Sequence, residues 1–223
     1  MSALAPSAPF DPGCARCPRI AAYLAAGRAR HPDYHCAPVA PFGVAGTPRL
    51  LVVGLAPGFH GANATGRPFT GDYAGVLLYA TLHAFGWSSA PVSSSADDGL
   101  ELLDCRITNA VKCVPPANAP TPAEIAECNR FLAAELAALD RPAVILALGA
   151  IAHGAVLRGF GLKPSSCRFA NGAEHELPRG HSLVDSYHCS RYNTQTRRLT
   201  PERFRATVGR ATELSRARAG PGR

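Results

Sequence analysis

The sequence lacks an apolar run long enough to cross a membrane. Its longest run, 143–152, ends at His153, whereas a membrane-spanning helix needs ~20 apolar residues. The N-terminus also lacks a basic stretch followed by an apolar one, which is the pattern of a secretory signal peptide. We therefore expect a soluble, cytoplasmic protein without a membrane partner.

Two widespread nucleotide-binding fingerprints are also missing. The sequence has neither the Gly-x-Gly-x-x-Gly of dinucleotide-binding folds nor the Gly-Lys-Ser/Thr of a phosphate-binding P-loop. Acidic residues are outnumbered, 16 against 23 Lys and Arg, which gives a net charge of +7. A basic balance favours a polyanionic partner, most often nucleic acid, although many basic proteins gain only solubility from it.

Apolar residues are plentiful, 47% of 223, and form short runs that alternate with helical patterns. This alternation predicts an α/β fold with helices on both faces of a parallel sheet. We expect one domain over 1–223, with a loose lead-in at 1–13, an irregular surface segment at 31–48 and a flexible basic tail at 215–223. Strands are predicted at 50–55, 105–111, 143–148 and within 183–187, and helices at 19–30, 72–85, 121–139, 150–157 and from 200 onward.

The residues suited to chemistry lie in three loops. The segments 55–72, 109–118 and 188–199 each follow a predicted strand. In parallel sheets the ligand site lies beyond the carboxyl ends of the strands. The sequence therefore predicts one site formed by these three loops.

Four of the eight cysteines are spaced for metal binding. Cys14 and Cys17 form a Cys-x-x-Cys pair, Cys113 ends the second strand region, and Cys128 lies in a helix. Four thiolates suit an iron–sulfur cluster or a tetrahedral zinc ion, and the ligand count does not choose between them. Simple packing of Cys113 and Cys128 is the alternative. The other four show no paired spacing and are assigned to packing: Cys36, Cys105, Cys167 and Cys189.

Three residues of the loops suit the binding of a nucleobase. Phe69 offers an aromatic face for stacking, with a core position as the alternative. Asn109 carries a donor and an acceptor that match the edge of a base, with a turn or cap as the alternative. Asp72 precedes a helix, where it is a good N-cap. The third loop is rich in basic and hydrogen-bonding groups, which suits contact with a phosphate backbone.

Motifs in these loops resemble those of the uracil-DNA glycosylase superfamily. They are Gly-Leu-Ala-Pro at 54–57, Thr-Gly-Arg-x-Phe-Thr-Gly-Asp at 65–72, the segment 107–116 and the His-x-Ser-x-x-Asn segment at 188–200. The sequence is most similar to the type-5 family of the iron–sulfur branch. A type-4 protein would carry an acidic residue where Leu55 stands.

This resemblance implies an α/β/α sandwich around a short parallel sheet, and a monomer. It also implies a structural [4Fe-4S] cluster on Cys14, Cys17, Cys113 and Cys128. The implied activity is that of a monofunctional glycosylase of the prokaryotic cytoplasm and nucleoid, which excises uracil from DNA and leaves an abasic site. Without an acidic residue at Leu55 the pocket is expected to be roomier and to accept hypoxanthine or xanthine as well. The alternative is a non-catalytic nucleic-acid-binding module that a zinc ion or an iron–sulfur cluster holds together.

The resemblance also assigns roles to single residues. Phe69 would stack on the flipped base, Asn109 would read its edge, and His188 would stabilise the leaving base. Asp72 is the nearest carboxylate by motif and is proposed to position water or stabilise the sugar cation, with a plain helix cap as the alternative. The base site would also include Leu55, Ala56 and Pro57, and DNA contacts would come from Ser190, Arg191, Tyr192, Asn193 and Arg197.

Three residues depart from the family pattern, namely Gly58, Cys189 in place of a usual Pro, and Arg197 in place of a usual Gly.

Lys112 is expected to point away from the site, so no lysine nucleophile is predicted. Of the histidines, His60 is expected near DNA. The others show no partner in the sequence and are expected to be structural: His31, His35, His83, His153, His175 and His181.

Overall fold

The structure, a computed structural model, describes residues 8–218. Within them a six-stranded sheet has the order β1-β3-β2-β4-β6-β5. The four central strands run parallel, and β1 and β5 pair antiparallel at the two edges. The strands are β1 Phe42–Gly43, β2 Leu50–Gly54, β3 Cys105–Asn109, β4 Val144–Leu148, β5 Glu174–Glu176 and β6 Ser182–Ser186.

Helices cover both faces of this sheet. Along β2, Leu50 and Val52 belong to one apolar cluster and Leu51 and Val53 to the other. Because successive side chains of a strand point to opposite faces, a continuous apolar run is what a doubly covered strand requires. The predicted α/β/α sandwich is confirmed. The helices are α1 Pro18–Arg30, α2 Ala62–Thr65, α3 Tyr73–Ala84, α4 Pro122–Ala137, α5 Ala150–Gly159, α6 Arg191–Gln195 and α7 Pro201–Arg218.

Capping explains where two of these helices begin. The Thr121 hydroxyl accepts the Glu124 N–H, while the Glu124 carboxylate accepts the Thr121 N–H, which forms a complete capping box for α4. The Asp72 carboxylate accepts the Gly75 N–H at 2.9 Å and caps α3. Both starts agree with the sequence prediction.

The structure corrects the sequence prediction at several places, among them the short helices α2 and α6, which were not predicted. Edge strand β1 lies in the segment 31–48 that was expected to be irregular, and β5 was not predicted. Helix α7 continues through 215–218, which were expected to belong to the tail, and Ser215 is buried there. The lead-in packs against α4 from residue 8 onward, with the Phe10 ring 6.4 Å from the ring of Phe131. The rest of the lead-in and of the tail lies outside the described residues.

None of the helices in the described range combines the length and the apolarity that a membrane span needs.

Candidate functional site

A cleft of about 360 Å³ lies at the carboxyl ends of the parallel strands. This is the edge at which ligands of such sheets bind, and the volume is within the ~300–1,000 Å³ range of small-molecule sites. All three predicted loops contribute to it. The predicted site residues that line it are Leu55, Ala56, Pro57, Phe69, Asp72, His188, Ser190 and Arg191.

Asn109 and Phe69 meet above Gly54, the last residue of β2. A Cβ atom at Gly54 would lie 2.4 Å from Asn109 Oδ1 and 2.6 Å from Phe69 Cζ, so only glycine leaves room for both side chains. Asn109 is 3% exposed, and its Oδ1 has no hydrogen-bond partner among the described residues. A buried acceptor without a donor is costly. Asn109 lies beside Phe69, whose ring forms part of the cleft wall, but is not itself among the residues that line the cleft.

The backbone of Phe69 is held in an uncommon conformation. Its φ of +56° lies in the left-handed region, which is strained for an aromatic residue and is found mostly at functional sites. Gly75 permits this turn, since a Cβ atom there would lie 1.7 Å from the Phe69 carbonyl oxygen. The Tyr79 hydroxyl also donates to the Pro68 carbonyl at 2.8 Å. The Phe69 ring is thus both a core residue and part of the cleft wall.

Asp72 has one oxygen for the helix and one beside the cleft. While Oδ1 caps α3, Oδ2 lies beside Gly58 and Gly61, and a Cβ atom at Gly61 would come within 2.7 Å of it. Burial raises the pKa of this carboxyl above its usual value. The capping role is confirmed, and it leaves the second oxygen free for other contacts at the cleft.

His188 follows β6 and lies with its ring at 27° to that of Phe69, the ring centroids 5.8 Å apart. Burial lowers its pKa to about 4, so the imidazole is neutral at pH 7. The loop behind it is fixed by two hydrogen bonds. Asn193 Nδ2 donates to the His188 carbonyl at 2.8 Å, and the thiol of fully buried Cys189 donates to the Ala74 carbonyl at 3.4 Å.

The third loop contains α6, a short helix that was not predicted. Ser190 caps it through the Asn193 N–H, and Arg191 lies over the Tyr73 ring at 5.2 Å. Tyr192 is 70% exposed, unusually high for a large aromatic side chain. Arg197 has a φ of +55°, the left-handed conformation that glycine adopts without strain.

Two further residues that line the cleft and carry hydrogen-bonding side chains, Asn118 and Tyr73, were not predicted. Asn118 has a φ of +54°, and the signal for it was an Asn placed shortly after a Pro-Pro pair, since Asn tolerates this conformation. Lys112 points away from the cleft, as predicted, and its Nζ lies 2.5 Å from Glu135 Oε1.

The four predicted metal-ligating cysteines, Cys14, Cys17, Cys113 and Cys128, line one small cavity between α1 and α4. Burial and the neighbouring thiols raise the pKa of Cys113 to about 12, so thiolates here need a metal to offset their charge. Over residues 8–218, no three of these sulfur atoms lie within 4.8 Å of one another. Four thiols lining one cavity are a ligand set for a zinc ion or an iron–sulfur cluster.

Two of the histidines that show no partner in the sequence share one carboxylate in the structure. His153 Nδ1 lies 2.8 Å from one oxygen of Asp185, and His175 Nε2 lies 3.2 Å from the other. Asp185 and His175 stand on neighbouring strands and His153 on α5, a juxtaposition that no local pattern indicates. His60 bonds to the Tyr34 hydroxyl through Nδ1 at 2.9 Å.

Comparison with known proteins agrees with the motifs. The family model of the uracil DNA glycosylase superfamily matches residues 40–211. A type-5 uracil-DNA glycosylase of Thermus thermophilus is 46% identical over 207 residues, which cover 91% of this chain and 94% of that protein. A second, from Pyrobaculum aerophilum, is 42% identical over 89% of this chain and 87% of its own length. A type-4 uracil-DNA glycosylase of Thermotoga maritima is 35% identical over 64% of this chain and 65% of its own length. The chain belongs to the uracil-DNA glycosylase superfamily and, within it, to the type-5 family.

Proposed function

We propose that this protein is a DNA repair glycosylase that hydrolyses the bond between a deaminated base, chiefly uracil, and its deoxyribose. The observation that carries this proposal is the buried, unpaired Oδ1 of Asn109 beside the Phe69 ring. The ring imide N–H of uracil would donate to that oxygen while the base stacks on Phe69. The family membership and the enclosed cleft favour this enzyme over a non-catalytic binding module.

His188 is the proposed donor to the leaving base. As the glycosidic bond breaks, negative charge collects on the base, and a preorganised donor stabilises it in the transition state. Because its pKa is lowered to about 4, the ring acts as a neutral donor. Removing one such donor typically costs about 3–4 kcal/mol, or roughly 10²–10³ in rate.

Asp72 is the proposed partner of the sugar and the water. Its Oδ2 is not used in capping the helix, and it lies beside Gly58 in the cleft wall. A carboxylate oxygen there can orient the attacking water or stabilise the positive charge on the sugar. Asn118, on the same wall, offers a second polar group for that water.

The third loop is the proposed DNA contact. A base inside a duplex must be flipped out before it can reach the cleft. Exposed Tyr192 and Arg191 are suited to enter the duplex, while Ser190, Asn193 and Arg197 lie on the same loop for contact with the phosphate backbone.

The cysteine site fits a [4Fe-4S] cluster with a structural role. Such a cluster would tie Cys14 and Cys17 at the N-terminal segment to Cys113 and Cys128, close behind Asn109. The backbone N–H of Lys112 donates to Cys128 Sγ at 3.2 Å, a hydrogen bond of the kind that stabilises cluster thiolates. We also infer that the enzyme works as a monomer on the DNA of a prokaryotic nucleoid.

The test uses a labelled duplex with one U·G pair, incubated with excess protein and then treated with alkali to cleave abasic sites. A cut at the uracil position is expected. His188→Ala should slow it by roughly 10²–10³ while binding of the duplex persists. An intact strand from wild-type protein that still binds the duplex would refute the proposed function. His83→Gln, a change at an exposed histidine away from the cleft, is the matched control.

A further inference from the structure

A second group of metal-ligating side chains lies on the α5 side of the sheet. Asp185 of β6 is fully buried, and its two oxygens face His153 of α5 and His175 of β5 at 2.8 and 3.2 Å. The three donor atoms lie within 4.8 Å of one another. Neither the catalytic cleft nor the cysteine site includes any of these residues.

The hydrogen bonds of His153 determine which of its nitrogens is available. Its Nε2 lies 3.1 Å from the carbonyl oxygen of Cys167, which can only accept, so Nε2 carries a proton. In the neutral ring Nδ1 then carries a lone pair and no proton, and this lone pair faces a carboxylate oxygen of Asp185 2.8 Å away. Either a proton or a metal ion must therefore satisfy these two acceptors.

The chemistry of the three ligands suits a transition-metal ion. Two imidazole nitrogens and one carboxylate oxygen are a common zinc ligand set, with a fourth position left for water. Tetrahedral ligands about 2.0–2.1 Å from zinc are about 3.3 Å apart. The nitrogen–oxygen distances of 2.8 and 3.2 Å lie within about 0.5 Å of that value, and no two of the three ligand atoms are more than 4.8 Å apart. The bond from His153 to the Cys167 carbonyl is the support that metal-binding histidines usually have. The His175 side chain is 16% exposed, which gives solvent access to the open position.

We propose that His153, His175 and Asp185 bind a divalent transition-metal ion, with zinc as the best match. The ion would join α5, β5 and β6 immediately before the turn that carries His188. Its role is to hold the end of β6, since Asp185 stands three residues before His188. The alternative is a proton between His153 Nδ1 and Asp185, which would make His153 an imidazolium paired with that carboxylate.

The test uses cluster-loaded protein, freed of loosely bound metal by a mild chelator and titrated with zinc in a calorimeter. One equivalent is expected, together with a higher melting temperature and unchanged cluster absorbance, which shows that the cysteines are not involved. His175→Gln should remove this equivalent, whereas His83→Gln, the matched control, should keep it. Asp185→Asn is a second variant for the same purpose.

Nitrogen NMR of labelled histidines separates metal from proton. With zinc bound, His153 Nδ1 should show the shift of a metal-coordinated nitrogen. If both ring nitrogens of His153 remain protonated in excess zinc, or if His175→Gln binds zinc as wild type does, the proposal is wrong.

Discussion

The buried pair Lys112–Glu135 offers the sharpest test of how the backbone at Asn109 is held. Lys112 is 1% exposed, and its Nζ contacts Glu135 Oε1 at 2.5 Å, Thr108 Oγ1 at 2.5 Å and the Asn109 carbonyl at 2.8 Å. Lys112→Met keeps the length of the side chain but removes all three contacts. It also leaves the Glu135 carboxylate, 11% exposed, without its cation.

The expected loss of stability follows from that uncompensated charge. Breaking a buried ion pair by removing one partner typically costs about 3–5 kcal/mol. In a domain of this size each kcal/mol lowers the melting temperature by about 2–4 °C, so a fall of roughly 6–20 °C is expected. Lys112→Met with Glu135→Leu should recover much of this loss, because both charges are then absent.

Urea denaturation gives the free energy of unfolding of the wild type, both single variants and the double variant. The four values together give the interaction energy between Lys112 and Glu135. Arg210→Met is the control, since Arg210 and its partners Glu174 and Glu213 are exposed and the change should have little effect. A Lys112→Met variant as stable as the wild type would refute this reasoning, as would a double variant no more stable than Lys112→Met.

Four more predictions concern the cleft and the third loop. Gly54→Ala should slow single-turnover excision by about 5- to 150-fold, because its Cβ displaces Asn109 from a recognition contact worth about 1–3 kcal/mol; an unchanged rate would contradict the proposed role of that amide. Arg197→Gly should stabilise the fold to urea by up to about 1 kcal/mol, because glycine adopts the φ of +55° without strain. The same change should make DNA binding less dependent on salt concentration, and an unchanged salt dependence would show that Arg197 makes no phosphate contact. The rate should fall on the acidic side when Asp72, whose pKa burial raises, becomes protonated, and not through His188, whose pKa of about 4 keeps its ring neutral above about pH 5; a fall in rate that follows the protonation of His188 in NMR would contradict this. Matched duplexes with hypoxanthine or xanthine should also be cut, since Leu55 puts no carboxylate in the pocket, and activity confined to uracil would refute that expectation.

The parts of the fold that the sequence predicted are those with a strong local cause. The run at β2 must be apolar throughout because both faces are covered, and the capping box at Thr121 satisfies two backbone groups at once. Strands β1 and β5 were missed because they have only two and three residues, too few to show an alternation of apolar and polar side chains. Strand β5, moreover, reads Glu-His-Glu and contains no apolar residue. Their pairing depends on the neighbouring strands and not on their own sequence.

The candidate site was predicted to the extent that single residues signal their chemistry. Three loops at strand ends gave the position of the cleft, and Phe69, Asp72 and His188 line it as expected. Asn118 was missed because a lone Asn in a loop is usually a turn residue. The Asp185 group was missed for a different reason. His153, His175 and Asp185 lie on three elements separated in sequence, and only the packing of α5 on the sheet and the pairing of β5 with β6 bring them together.

The segment 108–113 shows why the cleft and the cysteine site depend on each other. It presents the Asn109 amide at the end of β3 and, four residues later, the thiol of Cys113. Between them, Lys112 donates its backbone N–H to Cys128 Sγ and its Nζ to the Asn109 carbonyl. Both hydrogen bonds come from one residue, so the end of β3 and the cysteine site share a support. Lys112 therefore links the backbone of Asn109 to one of the four cysteines of the metal-ligating set.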